Sequence, residues 1–559
     1  MKRLIIGTVP DDFDISKDIL IGPWCCYNRE KYLEHIEFLK IVPDPYQSSD
    51  DMKNDSDNII RYINTLLPDL VKKLNVINNC QYSEKFWNII LKPWLLTLLH
   101  TTWEKQLRIE YVLKKFGNEI ISIDIIKNDI EWDFIDSIDF LERGVLNPDY
   151  NEWLFSRLFE AIIPKKWKVS YIEKSVTLPL KTKKRIGLRN SLRSHLFHHF
   201  RCYGVYGIGL FNSILLSILL HNKPKIKIDY KEDKINEKNA IQLPWMIDIM
   251  WLIEKTMPLR FRNIENTNKR KFKEGKIRLI GPLLFWNEDD KFELACAVEN
   301  GEHLVCTQHG GNCGISKVYS FPAEFEYNHL AFFSWGWEEQ EDYGGNIIPL
   351  PSPYLIKFKR KSFGNKSKLL LVSTREYIFP YRLASVPQPL ERIKSRKHKI
   401  DFLNNLDSNV FHNTIFYSYP NESGALNNYN YFRIKFKDLM IKNGRLHQDM
   451  MKAKLIVLDH PGTTLNISLS ANIPTIGFWD KNSWSLCRQA TQIFDRLEKV
   501  GIIFSSGEQA AFKVNEVWNN IEAWWSQEEI QMAVREWCQK YALTNRCWLW
   551  KWIKTLWKL

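Results

Sequence analysis

Two apolar strands that each run straight into a loop of small and polar residues constrain this chain more than any other feature. The first is Glu302 to Cys306, followed at once by Thr307-Gln308-His309-Gly310-Gly311-Asn312-Cys313-Gly314. The second is Lys454 to Asp459, followed by His460-Pro461-Gly462-Thr463-Thr464 and an apolar-periodic run over 465–470. Short apolar runs closed by such loops read as buried strands of parallel sheets, and ligands bind beyond the carboxyl ends of such strands. Paired glycines let the backbone turn sharply and approach a ligand closely, so Gly310 and Gly311 can aim N–H groups at a phosphate or a developing negative charge. Two strand-to-loop sites in successive α/β halves point to a cleft between domains.

The rest of the chain supports that plan. With 559 residues, 45% hydrophobic and 26% charged, it is globular and too long for one core. Strand candidates lie at 4–8, 19–22, 120–125, 226–230, 278–284, 303–306 and 329–334, with amphipathic helices at 59–74, 83–116 and 150–161 between them. Pro93 interrupts the second helix and is expected to kink it. The proline-rich stretch Pro349 to Pro353 and the basic stretch after it read as an interdomain linker. A second series of strands follows at 368–374, 413–418, 455–459, 475–478 and 501–504. The expected fold is therefore α/β, with two Rossmann-like doubly wound domains, helical additions and a helical tail. The expected units are 1–350, which carries the His-Gly-Gly loop, 366–525, and a Trp/Lys-rich tail at 526–559.

Composition narrows the chemistry. A net charge of +13 favours anionic partners: nucleotide phosphates, anionic lipid or nucleic acid. Ten cysteines without a C-x-x-C pair fit reduced thiols in a cytosolic protein. The start, Met1 to Gly7, reads as a strand rather than a signal peptide. The uncharged stretch 202–220 is at the lower limit for a membrane span and reads as a buried helix. In the tail, Trp and Leu interleaved with Lys fit either an anionic membrane surface or packing back on the first domain.

Each candidate residue has a functional and a plainer reading. His309 can act as a general base or as a cation facing phosphate, or sit as a satisfied buried histidine. Gly462, Thr463 and Thr464 form a helix N-terminus suited to phosphate, or a simple cap. Arg375, after the strand at 368–374, can reach a diphosphate or make a surface ion pair. Glu326 and Asp289 can serve as base or nucleophile, or be solvated charges. Trp335 and Trp337 can wall a cleft or pack at a strand end. Cys313 reads as a small loop residue rather than a nucleophile. The only Asp-x-Asp motif weighed, within 11–14, reads as a turn, so neither metal nor cofactor is expected.

Several of these segments together resemble the transferases of bacterial surface-polysaccharide (O-antigen and capsule) biosynthesis, a GT-B-like glycosyltransferase group. The resemblance runs nearly end to end. It is carried by Ile21-Gly-Pro-Trp-Cys25, Phe86 to Trp94, Gln308-His-Gly-Gly311, Ser334-Trp-Gly-Trp337, Thr463-Thr464, Ala471 to Thr475 and Phe478-Trp479. A more distant similarity is to the polyol-phosphate transferases of wall teichoic acid synthesis. The resemblance implies a nucleotide-sugar co-substrate held chiefly by the second domain, through Arg375, Asp459, Gly462, Thr463 and Thr464. It also implies a glycan or lipid-linked acceptor on the first domain near His309 and Gln308. The expectation is a cytoplasmic protein acting at the inner face of the membrane, with peripheral contact to anionic lipid through the Trp/Lys tail, and no nucleic-acid partner, since no such fold signature accompanies the charge. Two departures stand out: Cys313 occupies a position where the group often has Tyr, and Asn466 to Ser468 carry no acidic residue. Transfer of a polyol phosphate, or binding without catalysis, are the alternative expectations.

Overall fold

The computed structural model describes residues 1–27, 29–176, 200–226, 241–264, 273–282, 288–359, 367–420 and 423–559. Its frame is three sheets, in which every strand pair is parallel. The N-terminal sheet holds β1 (Lys2–Ile5), β2 (Ile19–Leu20), β3 (Lys40–Ile41), β4 (Ile121–Ile126) and β5 (Lys168–Ile172), ordered β3-β2-β1-β4-β5. The middle sheet holds β6 (Cys202–Tyr203), β7 (Ile277–Ile280), β8 (His303–Thr307), β9 (Ala331–Ser334) and β10 (Ile347–Pro349), arranged in simple chain order. The C-terminal sheet holds β11 (Leu369–Val372), β12 (Thr414–Tyr417), β13 (Met440–Lys442), β14 (Leu455–Leu458), β15 (Thr475–Phe478) and β16 (Ile503–Phe504). Its order, β13-β12-β11-β14-β15-β16, reverses between β11 and β14 in the doubly wound manner.

The α/β class with parallel sheets is as expected, but residues 2–349 build two sheets where one α/β unit was anticipated. The expected strand at 226–230 lies outside the described residues beyond Ile226, as do positions 283 and 284 of the strand expected at 278–284.

Helices tie the sheets into one body. α1 (Ser49–Ile77) starts at Ser48, whose hydroxyl accepts from the Asp50 N–H at 3.1 Å, with Asp50 and Asp51 in the first turn facing the helix's positive end. α2 (Glu84–Phe116) runs on through Pro93 and buries most of its length. It packs on α1 and on a helix of the middle sheet, while α3 (Pro148–Glu160) covers the N-terminal sheet. Within α2, the fully buried Arg108 pairs with Asp44 at 2.7 Å and with Glu104, pinning the loop after β3.

α4 (Glu288–Glu299) is the helix that α2 meets on the middle sheet, and α5 (Ser320–Glu326) follows the His-Gly-Gly loop. α6 (Pro389–Asn404) and α7 (Thr463–Ser470) flank the C-terminal sheet. The tail holds α8 (Glu528–Tyr541) and α9 (Trp548–Lys558). Among the remaining helices, the one written helix M (Leu210–Asn222) lies on the middle sheet.

The C-terminal sheet meets both others at its loop end. It joins the N-terminal sheet through the Leu390 N–H to Asp44 at 2.9 Å and Arg396 to Glu30 at 3.1 Å. It joins the middle sheet through backbone bonds from Cys487 to Ile315 at 2.8 Å and from Lys317 to Ser485 at 3.0 Å. The proline-rich stretch at 349–353 is packed under the tail: the Trp552 indole donates to the Pro351 carbonyl at 3.0 Å, and Ser352 N–H to Leu543 at 2.8 Å.

Candidate functional site

The two loops singled out in the sequence meet. Gly311 N–H donates to the Thr463 hydroxyl at 3.0 Å. A Cβ on Gly311 would lie 2.5 Å from the Gly462 carbonyl carbon and 2.7 Å from the Thr463 nitrogen. The carboxyl ends of β8 and β14 therefore face each other across a seam that only glycine at 311 allows to close. At Gly310 the nearest atom to an added Cβ is the Thr463 hydroxyl oxygen at 3.7 Å, an ordinary contact.

Each lip of the seam carries a histidine backed by a buried carboxylate. On the middle sheet, His309 Nε2 lies 3.3 Å from Glu326 Oε2, and Glu326 is fully buried at the end of α5. On the C-terminal sheet, His460 Nδ1 lies 2.8 Å from Asp459 Oδ1, and its Nε2 lies 3.4 Å from the Thr464 hydroxyl. A carboxylate behind an imidazole fixes the tautomer and stabilises the imidazolium when it forms. His460 was not among the residues expected from the sequence to act. Its signal was its place, directly after a buried aspartate at a strand end.

Asp459 sits where the strand order reverses, between β11 and β14. It accepts from the Thr374 N–H and the Ser373 hydroxyl, both at 2.9 Å, so it bridges the ends of both strands. Lys399 of α6 lies behind it, 3.2 Å from Asp459 and 2.6 Å from Glu376, with its side chain fully buried. Burial alone would raise the Asp459 carboxyl, but Lys399 and the hydrogen bonds from His460 and Ser373 outweigh it and hold it at about 2. Burial likewise opposes the charge on Lys399, yet Glu376 and Asp459 carry its ammonium above the ordinary lysine value. The Asn428 amide closes the cluster by donating to Glu376 at 2.5 Å.

Arg375 is held at the same sheet end. Its guanidinium donates to the Tyr377 hydroxyl at 2.5 Å and the Tyr419 hydroxyl at 2.7 Å, and its carbon lies 4.3 Å from the centre of the Tyr419 ring. Two tyrosines fix the orientation of this cation, where a solvated surface ion pair was the plainer expectation.

Five expected residues take other parts. Gln308 is a buried clamp: its amide donates to Gly310 at 2.8 Å and accepts from the Trp335 N–H at 2.6 Å and the Trp337 indole at 2.8 Å. With those bonds made inside the protein, Gln308 shapes the loop and does not face a ligand. Trp335 and Trp337 are correspondingly buried, Trp337 against Tyr327, Phe332 and Gly314, so neither ring offers a stacking face. Asp289 is not brought to the seam; it pairs with Arg260 at the exposed start of α4. Gly311 spends its N–H on Thr463, which removes it as a donor to a ligand.

The two departures from the surface-polysaccharide pattern have local explanations. Cys313 is buried with its sulfur 2.7 Å from the Tyr319 hydroxyl, and burial pushes its thiol up to about 12, which rules out a thiolate at neutral pH. Asn466, Ile467 and Ser468 are all buried, and the Asn466 side chain accepts from the Trp537 indole of α8 at 2.9 Å. A cavity of about 1180 Å³ lies elsewhere, beside Glu302 and His303 at the amino end of β8. Parallel-sheet chemistry belongs at the other end of that strand.

Comparison with known proteins adds the family. A family model described as LIC12162 family transferase matches residues 2–556. No curated protein matches the chain. Among solved structures, WaaG, a glycosyltransferase involved in lipopolysaccharide biosynthesis, is similar at 16% identity with a TM-score of 0.22, over 37% of this chain and 56% of that one. The chain thus spans little more than half of that enzyme's length.

Proposed function

We propose that this chain, which belongs to the LIC12162 family of transferases, moves a sugar from a nucleotide-activated donor to a surface-polysaccharide or lipid-linked glycan. The observation that carries the reading is the seam: two carboxylate-backed histidines on facing strand ends, joined by the Gly311–Thr463 contact. Glycosyl transfer needs two kinds of help. The acceptor hydroxyl must lose a proton as it attacks the anomeric carbon, and the departing nucleotide phosphate must have its growing charge offset.

In this reading His309 takes the acceptor proton, and Glu326 steadies the imidazolium that results. The bond from the anomeric carbon to the phosphate oxygen breaks, and the nucleotide leaves with the electron pair. On that side His460, the Thr464 hydroxyl, the N–H groups at the start of α7 and Arg375 face the phosphate. Asp459 and Lys399 act behind them as positioning residues. A cytoplasmic site of action fits a nucleotide-sugar donor and belongs to the same proposal.

The test is slow donor hydrolysis without acceptor. Wild type is incubated with CMP-, UDP-, GDP- and dTDP-sugars, and nucleotide release is measured by chromatography. One donor class is expected to be consumed, with His309→Ala slower by roughly 10²- to 10⁴-fold. Turnover of no donor, or full activity in His309→Ala, would overturn the assignment.

A further inference from the structure

One face of the middle sheet is covered by two helices that each leave a second apolar or aromatic stripe uncovered. Helix M buries Leu216 and Leu220, and α9 buries Trp548, Trp552 and Leu556, in one small core with Cys202, Leu279, Val305 and Phe333. The two helices are tied at their ends by the Lys223 ammonium, which donates to the Trp557 carbonyl at 2.9 Å. Because both bury one side in the same core, their opposite sides point away from the sheet together.

On helix M that outer side is Phe211, Leu215 and Ile218, at helical spacing, with Phe211 79% exposed. The sequence reading of this stretch as a buried helix therefore holds for one face only. On α9 the outer stripe is Trp550 and Trp557, interleaved with exposed Lys551, Lys554 and Lys558, with Trp550 68% exposed. The tail packs back through three residues and presents Trp and Lys outward. Neither 200–226 nor 541–559 contains an Asp or Glu.

We propose that helix M and α9 form a docking surface for an anionic phospholipid bilayer. Trp and Phe side chains would enter the headgroup boundary while the lysines meet lipid phosphates, the arrangement expected of a helix lying in the interface plane. Charge decides the occupant. A second copy related by a two-fold axis would set this acid-free cationic stripe against itself, whereas an anionic bilayer complements it. Among the described residues no helix is long and apolar enough to cross a membrane, so the surface rests on the bilayer.

The placement gives the surface a purpose, and this part rests on the proposed transferase reading. The loop that leads into helix M carries Tyr206, half-exposed, with its ring 6.3 Å from that of His309. Gly207, at φ +85°, lets that loop lie on the Tyr354 backbone, where a Cβ would approach to 2.3 Å. A lipid-linked acceptor standing in the bilayer would therefore emerge beside His309.

The test is flotation of the full chain with vesicles of phosphatidylcholine, with and without phosphatidylglycerol, at low and high salt. Binding is expected only with phosphatidylglycerol, weakened by salt. The variant Lys551→Glu/Lys554→Glu/Lys558→Glu is expected to lose roughly 100-fold in partitioning, and Phe211→Ser/Trp550→Ser to weaken binding at unchanged thermal unfolding. Equal binding to both vesicles, no binding, or undiminished binding by the lysine variant would overturn the proposal. So would a dimer in sedimentation that Phe211→Ser/Trp550→Ser dissolves without any vesicle binding. Flotation needs no turnover, so a failed surface and a failed transferase assignment are told apart.

Discussion

Replacing Gly311 and Gly310 by alanine, one at a time, tests the seam with the same added methyl group at adjacent positions. At Gly311 the new carbon would lie 2.5 Å from the Gly462 carbonyl carbon and 2.6 Å from its oxygen. Carbon contacts settle near 3.5–4.0 Å, so the two loops must part by about 1 Å. Both partners are backbone at the ends of buried strands, so the strain has no flexible side chain to absorb it. The expected cost is about 1–3 kcal/mol of stability. A displacement of about 1 Å between the two lips should slow transfer by roughly 100-fold. At Gly310 the methyl group meets only the Thr463 hydroxyl oxygen at 3.7 Å. That change should be neutral, or stabilising by about 0.4–1 kcal/mol through the unfolded chain. Denaturant unfolding and donor-hydrolysis rates measure both. Indistinguishable behaviour of the two variants would refute the close contact between Gly311 and the Gly462–Thr463 backbone.

The buried charge cluster gives the remaining predictions. Lys399→Met leaves Asp459 and Glu376 without their shared cation, and should cost about 3–5 kcal/mol in denaturant unfolding. Asp459 is held below the ordinary carboxylate value, so its contribution is complete above pH 3.8 and is lost as pH falls toward about 2. Over that window wild type should lose about 2 kcal/mol that Asp459→Asn does not lose, read from acid titration of unfolding.

Much of the fold was legible because its central strands are apolar runs buried on both faces. Leu369–Val372, Leu455–Leu458 and Thr475–Phe478 are buried at every position, and a continuous apolar run bounded by loops is what such strands look like in sequence. Strands at or near sheet edges were less visible. Lys40–Ile41 has two residues, and Lys168–Ile172 exposes three of its five side chains, so neither shows an apolar run. The third sheet escaped for a related reason: Cys202–Tyr203 is short, and the surrounding residues read as a buried helix.

At the site, His309, Asp459 and Thr464 stood out because each follows a recognisable strand. Roles that depend on distant partners did not. Gln308 looked like a ligand contact until its amide was seen to hold Trp335 and Trp337. Asp289 reads in sequence as the end of a strand region, yet it lies in the first turn of α4 and pairs with Arg260. His460 was not singled out, because nothing in a linear reading shows its ring between Asp459 and Thr464.

The most direct measurement is a thermal-shift titration with CMP, CDP, UDP, GDP and dTDP on wild type, His460→Ala and Thr464→Val. One nucleotide at about 100 times its dissociation constant should stabilise wild type by roughly 2.7 kcal/mol, and both substitutions should abolish or sharply reduce that shift. A wild type indifferent to all five nucleotides, or a shift that both variants retain, would contradict the placement of the donor phosphate at the His460–Thr464 lip of the seam.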